Sequence, residues 1–188
     1  MKNKLLTATL LGLAVLSASA APQLQPAQSE LSFAAKQMGV PIEGKFKRFD
    51  AQLTFDPKKP EAGKVSFSIE MASATLGAPE FDAELVKAPW FNAKALPQAS
   101  FVSTSFKPAA NGRIDVAGKL TIKGVAHDVV VPVQFTQQSG ANGANTATAT
   151  GQLTMKRLDF KIGEGEWADT SVVANDVNVK FKLAFTGL

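Results

Sequence analysis

The stretch Thr146–Met155, TATATGQLTM, alternates without a break. One row is Thr146, Thr148, Thr150, Gln152 and Thr154; the other is Ala147, Ala149, Gly151, Leu153 and Met155. A period of two marks a half-buried strand, because successive side chains point to opposite faces of a sheet. The row that belongs in a core nevertheless opens with three of the smallest residues. A strand that offers Ala, Ala and Gly to its core either borders a hollow or accommodates something pressed against it.

The same alternation recurs along the chain. Leu31 and Phe33 open it; Ile42, Gly44 and Phe46 share a face, and Leu53 and Phe55 follow. Val65, Phe67, Ile69 and Met71 make another row, and a blurred strand runs from Ala99 to Phe106 through Phe101. Ile114, Val116, Gly118, Leu120 and Ile122 precede Val129, Val131, Val133 and Phe135. The quoted stretch extends as a strand from Thr146 to Phe160, and Val177, Val179, Phe181, Leu183 and Phe185 close the series. Gly, Pro, Asn and Asp punctuate about eight strands, so the fold class is all-β with antiparallel meander pairing. Eight strands is the size at which a barrel either fills itself or holds one small ligand. One segment departs from the period of two. Ala78–Ala93 spaces Phe81, Leu85 and Val86 as a helix, with Pro79 and Glu80 suited to its first turn and Pro89 placed to end or kink it. The run GANGAN after Ser139 reads as a polar loop.

Composition narrows the setting. Residues 1–20 carry a basic start (Lys2, Lys4), an apolar run Leu5–Leu16 and a small-residue site Ser17–Ala20, which together read as a cleavable secretory signal peptide. The remaining 21–188 are of single-domain size. There is no Cys, so an exported chain must hold its fold by its core alone. Without Lys2 and Lys4 the formal charge falls from +4 to +2, and no Lys/Arg run exceeds two residues apart from the mixed Lys45-Phe46-Lys47-Arg48. That is not the basic stripe of a nucleic-acid binder. An outer-membrane barrel would share the alternation but needs aromatic girdles; this chain has no Tyr and two Trp, Trp90 and Trp167. The apolar rows are therefore expected to face inward, and no membrane span is expected.

Chemistry is thinly provided for. His127 is the only histidine, and its neighbour Asp128 points to the other side of the strand. There is no Cys nucleophile and no G-x-S-x-G elbow. One His with scattered carboxylates does not make a metal site, and Glu164, Glu166 and Asp169 miss the EF-hand pattern. No catalytic residue, metal or cofactor is expected.

Several segments together resemble the YceI family: VPIEGKFKRFDAQLTFDP (40–57), PWFNAKALPQASF (89–101), GKLTIKGVAHDVVVPVQF (118–135), RLDFKIG (157–163) and DVNVKFKLAF (176–185). The resemblance implies a lipocalin-like eight-stranded antiparallel barrel, exported to the bacterial periplasm, with a long apolar pocket for polyisoprenoid chains or related amphiphiles. It also implies that homodimers occur. GEGEWADTS (163–171) lies outside the familiar pattern.

On this reading the ligand-binding lumen is walled by Phe33, Phe46, Phe67, Ile69 and Phe101, by Leu120, Val131, Met155 and Phe181, and by the small residues Ala147, Ala149 and Gly151. Gly44 and Gly118 are expected to leave further space, and Leu85, Trp90 and Phe91 to form the lid. A headgroup at the mouth would find Lys36, Lys45, Lys47 or Arg48. The expected function is a carrier or sequestering protein for a long-chain isoprenoid. The alternative is an envelope interaction module whose barrel is filled, with the Ala78–Ala93 helix lying on the alanine row.

Overall fold

The computed structural model describes residues 21–139 and 145–187. The expected signal peptide (1–20) and most of the GANGAN loop (140–144) lie outside them.

The inward rows close on one another. The strands are β1 (Gln23–Leu24), β2 (Glu30–Gln37), β3 (Val40–Phe46), β4 (Phe49–Thr54), β5 (Lys64–Glu70) and β6 (Ala74–Thr75). After the helix α1 (Pro79–Leu85) come β7 (Gln98–Pro108), β8 (Arg113–Ile122), β9 (Val125–Ser139), β10 (Asn145–Lys156) and β11 (Asp176–Thr186). β3 and β4 act as one wall strand bent at Lys47–Arg48: its first half pairs with β2 and its second with β5. Ser73 holds the bend, its hydroxyl oxygen accepting the Arg48 N–H at 3.0 Å and its carbonyl accepting the Lys47 N–H at 3.1 Å. Counted this way the wall is an eight-stranded antiparallel up-and-down barrel in sequence order, closed by the β11–β2 ladder. Two-residue β1 bridges β4 and β11 where β2 has not yet begun.

The register explains the alternation. Ala149 lies opposite Phe135 and Leu183, and Gly151 opposite Val133 and Phe181, so the small residues and the aromatic rows share the interior. The Thr row of β10 and Lys180 and Lys182 of β11 lie on the outer face. At one end, Phe55 packs against Phe135 and Phe106, with ring centroids 4.3 and 6.3 Å apart, and forms an aromatic floor. At the other end the β2–β3 hairpin, residues 71–97 and residues 157–175 build a lid.

Two sequence expectations change. β10 ends at Lys156 rather than Phe160, and Arg157–Phe160 form a turn of 3₁₀ helix. The buried Arg157 pulls the chain inward there, and its N–H bonds to Asn175 O at 2.8 Å. The helix expected over Ala78–Ala93 is only the seven residues of α1. Residues before a proline avoid the helical region, and here the chain leaves the helix ahead of Pro89, then folds back so that the N–H of Phe91 reaches Leu85 O at 3.0 Å.

Asp82 ties α1 to the wall. Its carboxylate accepts the Thr75 hydroxyl at 2.6 Å and the Leu76 N–H at 2.7 Å. These bonds, the hydroxyl foremost, hold the carboxyl below its usual range. A lowered folded pKa means that the tie stabilises above the ordinary carboxylate range and is lost as pH falls through the lowered value. Hydrogen exchange read against pH should therefore show α1 losing protection on acidification below about pH 4, with the dependence abolished in Asp82→Asn. Equal acid sensitivity in both proteins would contradict the assignment.

Candidate functional site: an apolar cavity in the barrel

A cavity of about 390 Å³ runs inside the barrel, between the aromatic floor and the lid. That is within the size range of ligand pockets. Its wall is almost wholly aliphatic and aromatic; Gln37, Glu84 and Arg157 are the polar exceptions, all at the lid end. Phe33, Phe46, Phe67, Phe101 and Phe181 point inward yet are only half-buried, because each borders the hollow.

The small residues answer the question that TATATGQLTM raised, and differently from expectation. Gly44, Gly118 and Gly151 do not leave vacant space: each is covered by a phenylalanine ring. A Cβ built on Gly44 would lie 2.3 Å from Cζ of Phe33, one on Gly118 2.4 Å from Cζ of Phe101, and one on Gly151 2.5 Å from Cζ of Phe181. Phe33 and Phe181 are the direct cross-strand partners of Gly44 and Gly151. A ring can lie flat on the wall only where the opposed residue lacks a side chain. Three inward rings laid back against the wall in this way keep the barrel axis open. Ala149 leaves true space and lines the cavity. Ala147 does not line it; it is packed at the floor, opposite the buried Phe185.

Of the residues expected at the site, all but Ala147 and Gly151 line the cavity. Phe46 joins Phe33 at 5.3 Å and Phe91 at 5.9 Å, so wall and lid share one aromatic run. Leu85 and Phe91 are buried under the lid. Trp90 stands 5.5 Å from Trp167, which brings the unfamiliar 163–171 loop to the lid end. Phe81, 57% exposed, stands at the mouth. Lys36, Lys45, Lys47 and Arg48 do not line the cavity; Arg48 is engaged by Glu70 at 2.5 and 2.6 Å.

Sequence reasoning missed Arg157. Its side chain is 1% exposed, borders the cavity and donates to five main-chain carbonyls. Burial pushes its guanidinium below the usual arginine range. The available signal was an Arg directly after a clean alternating strand, ahead of a loop rich in glycine.

His127 and Asp128 are engaged locally. His127 Nε2 lies 3.1 Å from Asp159 O with its ring against Phe160, and Asp128 pairs with Lys119 at 2.9 Å. Among the described residues no group of three or more His, Cys, Asp or Glu is arranged to hold a metal, and no helix is long and apolar enough to cross a membrane.

Comparison with known proteins agrees with this architecture. The family model described as the YceI-like domain matches residues 23–185. The chain belongs to the YceI-like domain family. A UPF0312 protein of Ectopseudomonas mendocina is 32% identical over 168 residues, covering 86% of this chain and 88% of that protein. The crystal structure of Burkholderia cenocepacia BcnA superposes with a TM-score of 0.81 at 45% identity, over 86% of this chain and 99% of that one. A polyisoprenoid binding domain from Saccharophagus degradans, implicated in plant cell wall breakdown, shares the fold with a TM-score of 0.71 at 17% identity, over 89% and 99%. The YceI-like barrel of this chain thus shares its overall fold with both solved structures.

The ring-on-glycine arrangement has a direct test. The atoms nearest a Cβ on Gly44 all belong to the Phe33 ring, so Gly44→Ala should drive that ring into the lumen. Displacement titrations with an apolar fluorescent probe should show weakened binding, and chemical denaturation a cost of about 1–3 kcal/mol. Unchanged probe affinity would contradict the arrangement.

Proposed function

We propose that this is an exported, periplasmic binding and carrier protein that sequesters a long-chain isoprenoid or similar amphiphilic lipid in its lumen and performs no chemistry of its own. The observation that carries this reading is the apolar cavity, floored by phenylalanine and with its few polar lining residues at the lid end. Such walls supply no hydrogen bonds along a guest and favour a hydrocarbon chain. Burying one CH₂ contributes about 0.8 kcal/mol, so a five-carbon unit contributes roughly 3–4 kcal/mol before ordering costs. A few units suffice for tight binding. The related fold of the Saccharophagus degradans polyisoprenoid binding domain supports the same guest class. The apolar run and small-residue site in residues 1–20 support export.

The lid follows from the cavity. α1 and the Trp90–Phe91 turn cover one end, and Phe81 and Gln37 flank the opening. Entry of a chain requires this cover to yield, and Asp82 is its tie to the wall.

Organic extraction of the protein purified from its own host, followed by mass spectrometry, tests the proposal. A co-purifying lipid near one per protein is expected; repeated absence after gentle purification counts against it. Ala149→Phe should abolish lipid retention while the barrel persists, because Ala149 borders the hollow. Retained lipid in that variant would place the guest outside the lumen.

A further inference from the structure

Arg157 is a buried cation that lipid sequestration leaves unexplained. Its five N–H donors are all taken by main-chain carbonyls: Nε by Ala174 O at 3.1 Å, Nη1 by Ile162 O and Gly163 O at 2.8 Å each, and Nη2 by Trp167 O and Val173 O at 2.7 Å each. This clamp orders the 157–175 segment. It satisfies the hydrogen bonds but supplies no neutralising carboxylate. None of the six ion pairs among the described residues includes Arg157. The acidic groups of the same loop are occupied or solvated: Glu164 holds Lys123 at 2.9 Å, Asp169 accepts the Ser171 hydroxyl at 2.6 Å, and Asp159 and Glu166 are exposed. Glu84, the one carboxylate on the cavity lining, is paired with Lys87. Buried arginine is ordinarily paired, so a guanidinium left with only carbonyl dipoles sets an uncompensated positive charge at the edge of an apolar cavity.

Its position gives that charge a direction. Arg157 borders the lid end, beside the Trp90–Trp167 pair; a Cβ on Gly163 would meet Arg157 Nη1 at 2.4 Å and Trp90 Cζ3 at 3.2 Å. The opposite end is the phenylalanine floor, which carries no charge.

We infer that the lid end of the cavity selects amphiphiles with an anionic head, and that Arg157 is the specificity-determining residue, acting through space rather than by hydrogen bonding. The inference rests on the lumen being a lipid site. The tail lies toward the floor and the head under the Trp90–Trp167–Arg157 end. Because every guanidinium N–H is already used, the head is read by its charge and not by its shape, so a phosphate and a carboxylate are both admitted. A cationic head of the same tail is disfavoured. The charge is buried, so salt screens this preference far less than it would one set by exposed lysines.

Three probes with one hexadecyl tail test this on the delipidated full chain: hexadecyl phosphate, hexadecanol and hexadecyltrimethylammonium, each displacing an apolar fluorescent reporter. The expected order is phosphate, then alcohol, then ammonium, with at least about a tenfold (about 1.4 kcal/mol) spread. It should persist in about 1 M salt, where the Debye length is about 3 Å, and in Lys36→Gln. Arg157→Gln should reduce the spread to that of the tail alone; should that variant not fold, the salt series on the unaltered protein decides by itself. Equal affinities for phosphate and ammonium overturn the inference while leaving the lumen as a lipid site. A preference that vanishes at high salt assigns it to exposed cations and overturns Arg157. Failure of all three probes to displace the reporter sinks the lumen reading and the inference with it.

Discussion

Eight strands enclose a space that inward side chains of ordinary size can fill. A barrel of this size stays hollow only if its inward rows are kept off the axis, and that constraint organises the rest of the molecule. The device is the pairing of phenylalanine with glycine across or diagonally between neighbouring strands: Phe33 on Gly44, Phe101 on Gly118 and Phe181 on Gly151. Each ring keeps its apolar area on the wall, where it packs against backbone, and presents its other face to the hollow. Large aromatic residues thus serve as lining rather than filling. The floor shows the contrast, since Phe55, Phe106 and Phe135 meet one another and close that end.

A hollow barrel is less stable than a packed one of the same size, since lining atoms lose dispersion partners. Stability must come from elsewhere. The continuous antiparallel ladders satisfy the backbone, and residues outside the barrel proper contribute a second cluster at the lid, where Leu85, Phe91, Met71, Phe160 and Ile162 pack together. Arg157 gives that lid its shape by gathering the carbonyls of 162–174 around one guanidinium. The same residue that orders the loop charges one end of the cavity, so structure and selectivity are joined in one side chain.

Much of this was legible in the sequence. Periodicity of two gave the strands and the inward direction of their apolar rows, and the ring residues at those positions do line the cavity. The meaning of the glycines was not legible, because a pattern along one strand does not reveal which residue of the next strand lies over it; register decides that. β10 ends four residues before Phe160: Leu158 and Phe160 keep a period of two but fall on the row opposite Leu153 and Met155, and the phase changes where the buried Arg157 turns the chain. Helical spacing in 78–93 was overextended past Leu85 for a similar reason, since tertiary contacts of Phe91 outweigh local propensity. Arg157 is marked in the sequence only by its place after an alternating strand, a weak signal for a single arginine; its burial and its five carbonyl partners are what single it out.

The central claim is that the lumen is an empty apolar space rather than a packed core. Xenon enters dry apolar cavities, so diffraction from crystals of the delipidated protein under xenon pressure measures the claim directly. The account predicts ordered xenon on the barrel axis, between Ala149 and the Phe33 and Phe101 rings. A solid interior without xenon, its rings turned inward to meet at the axis, would contradict it.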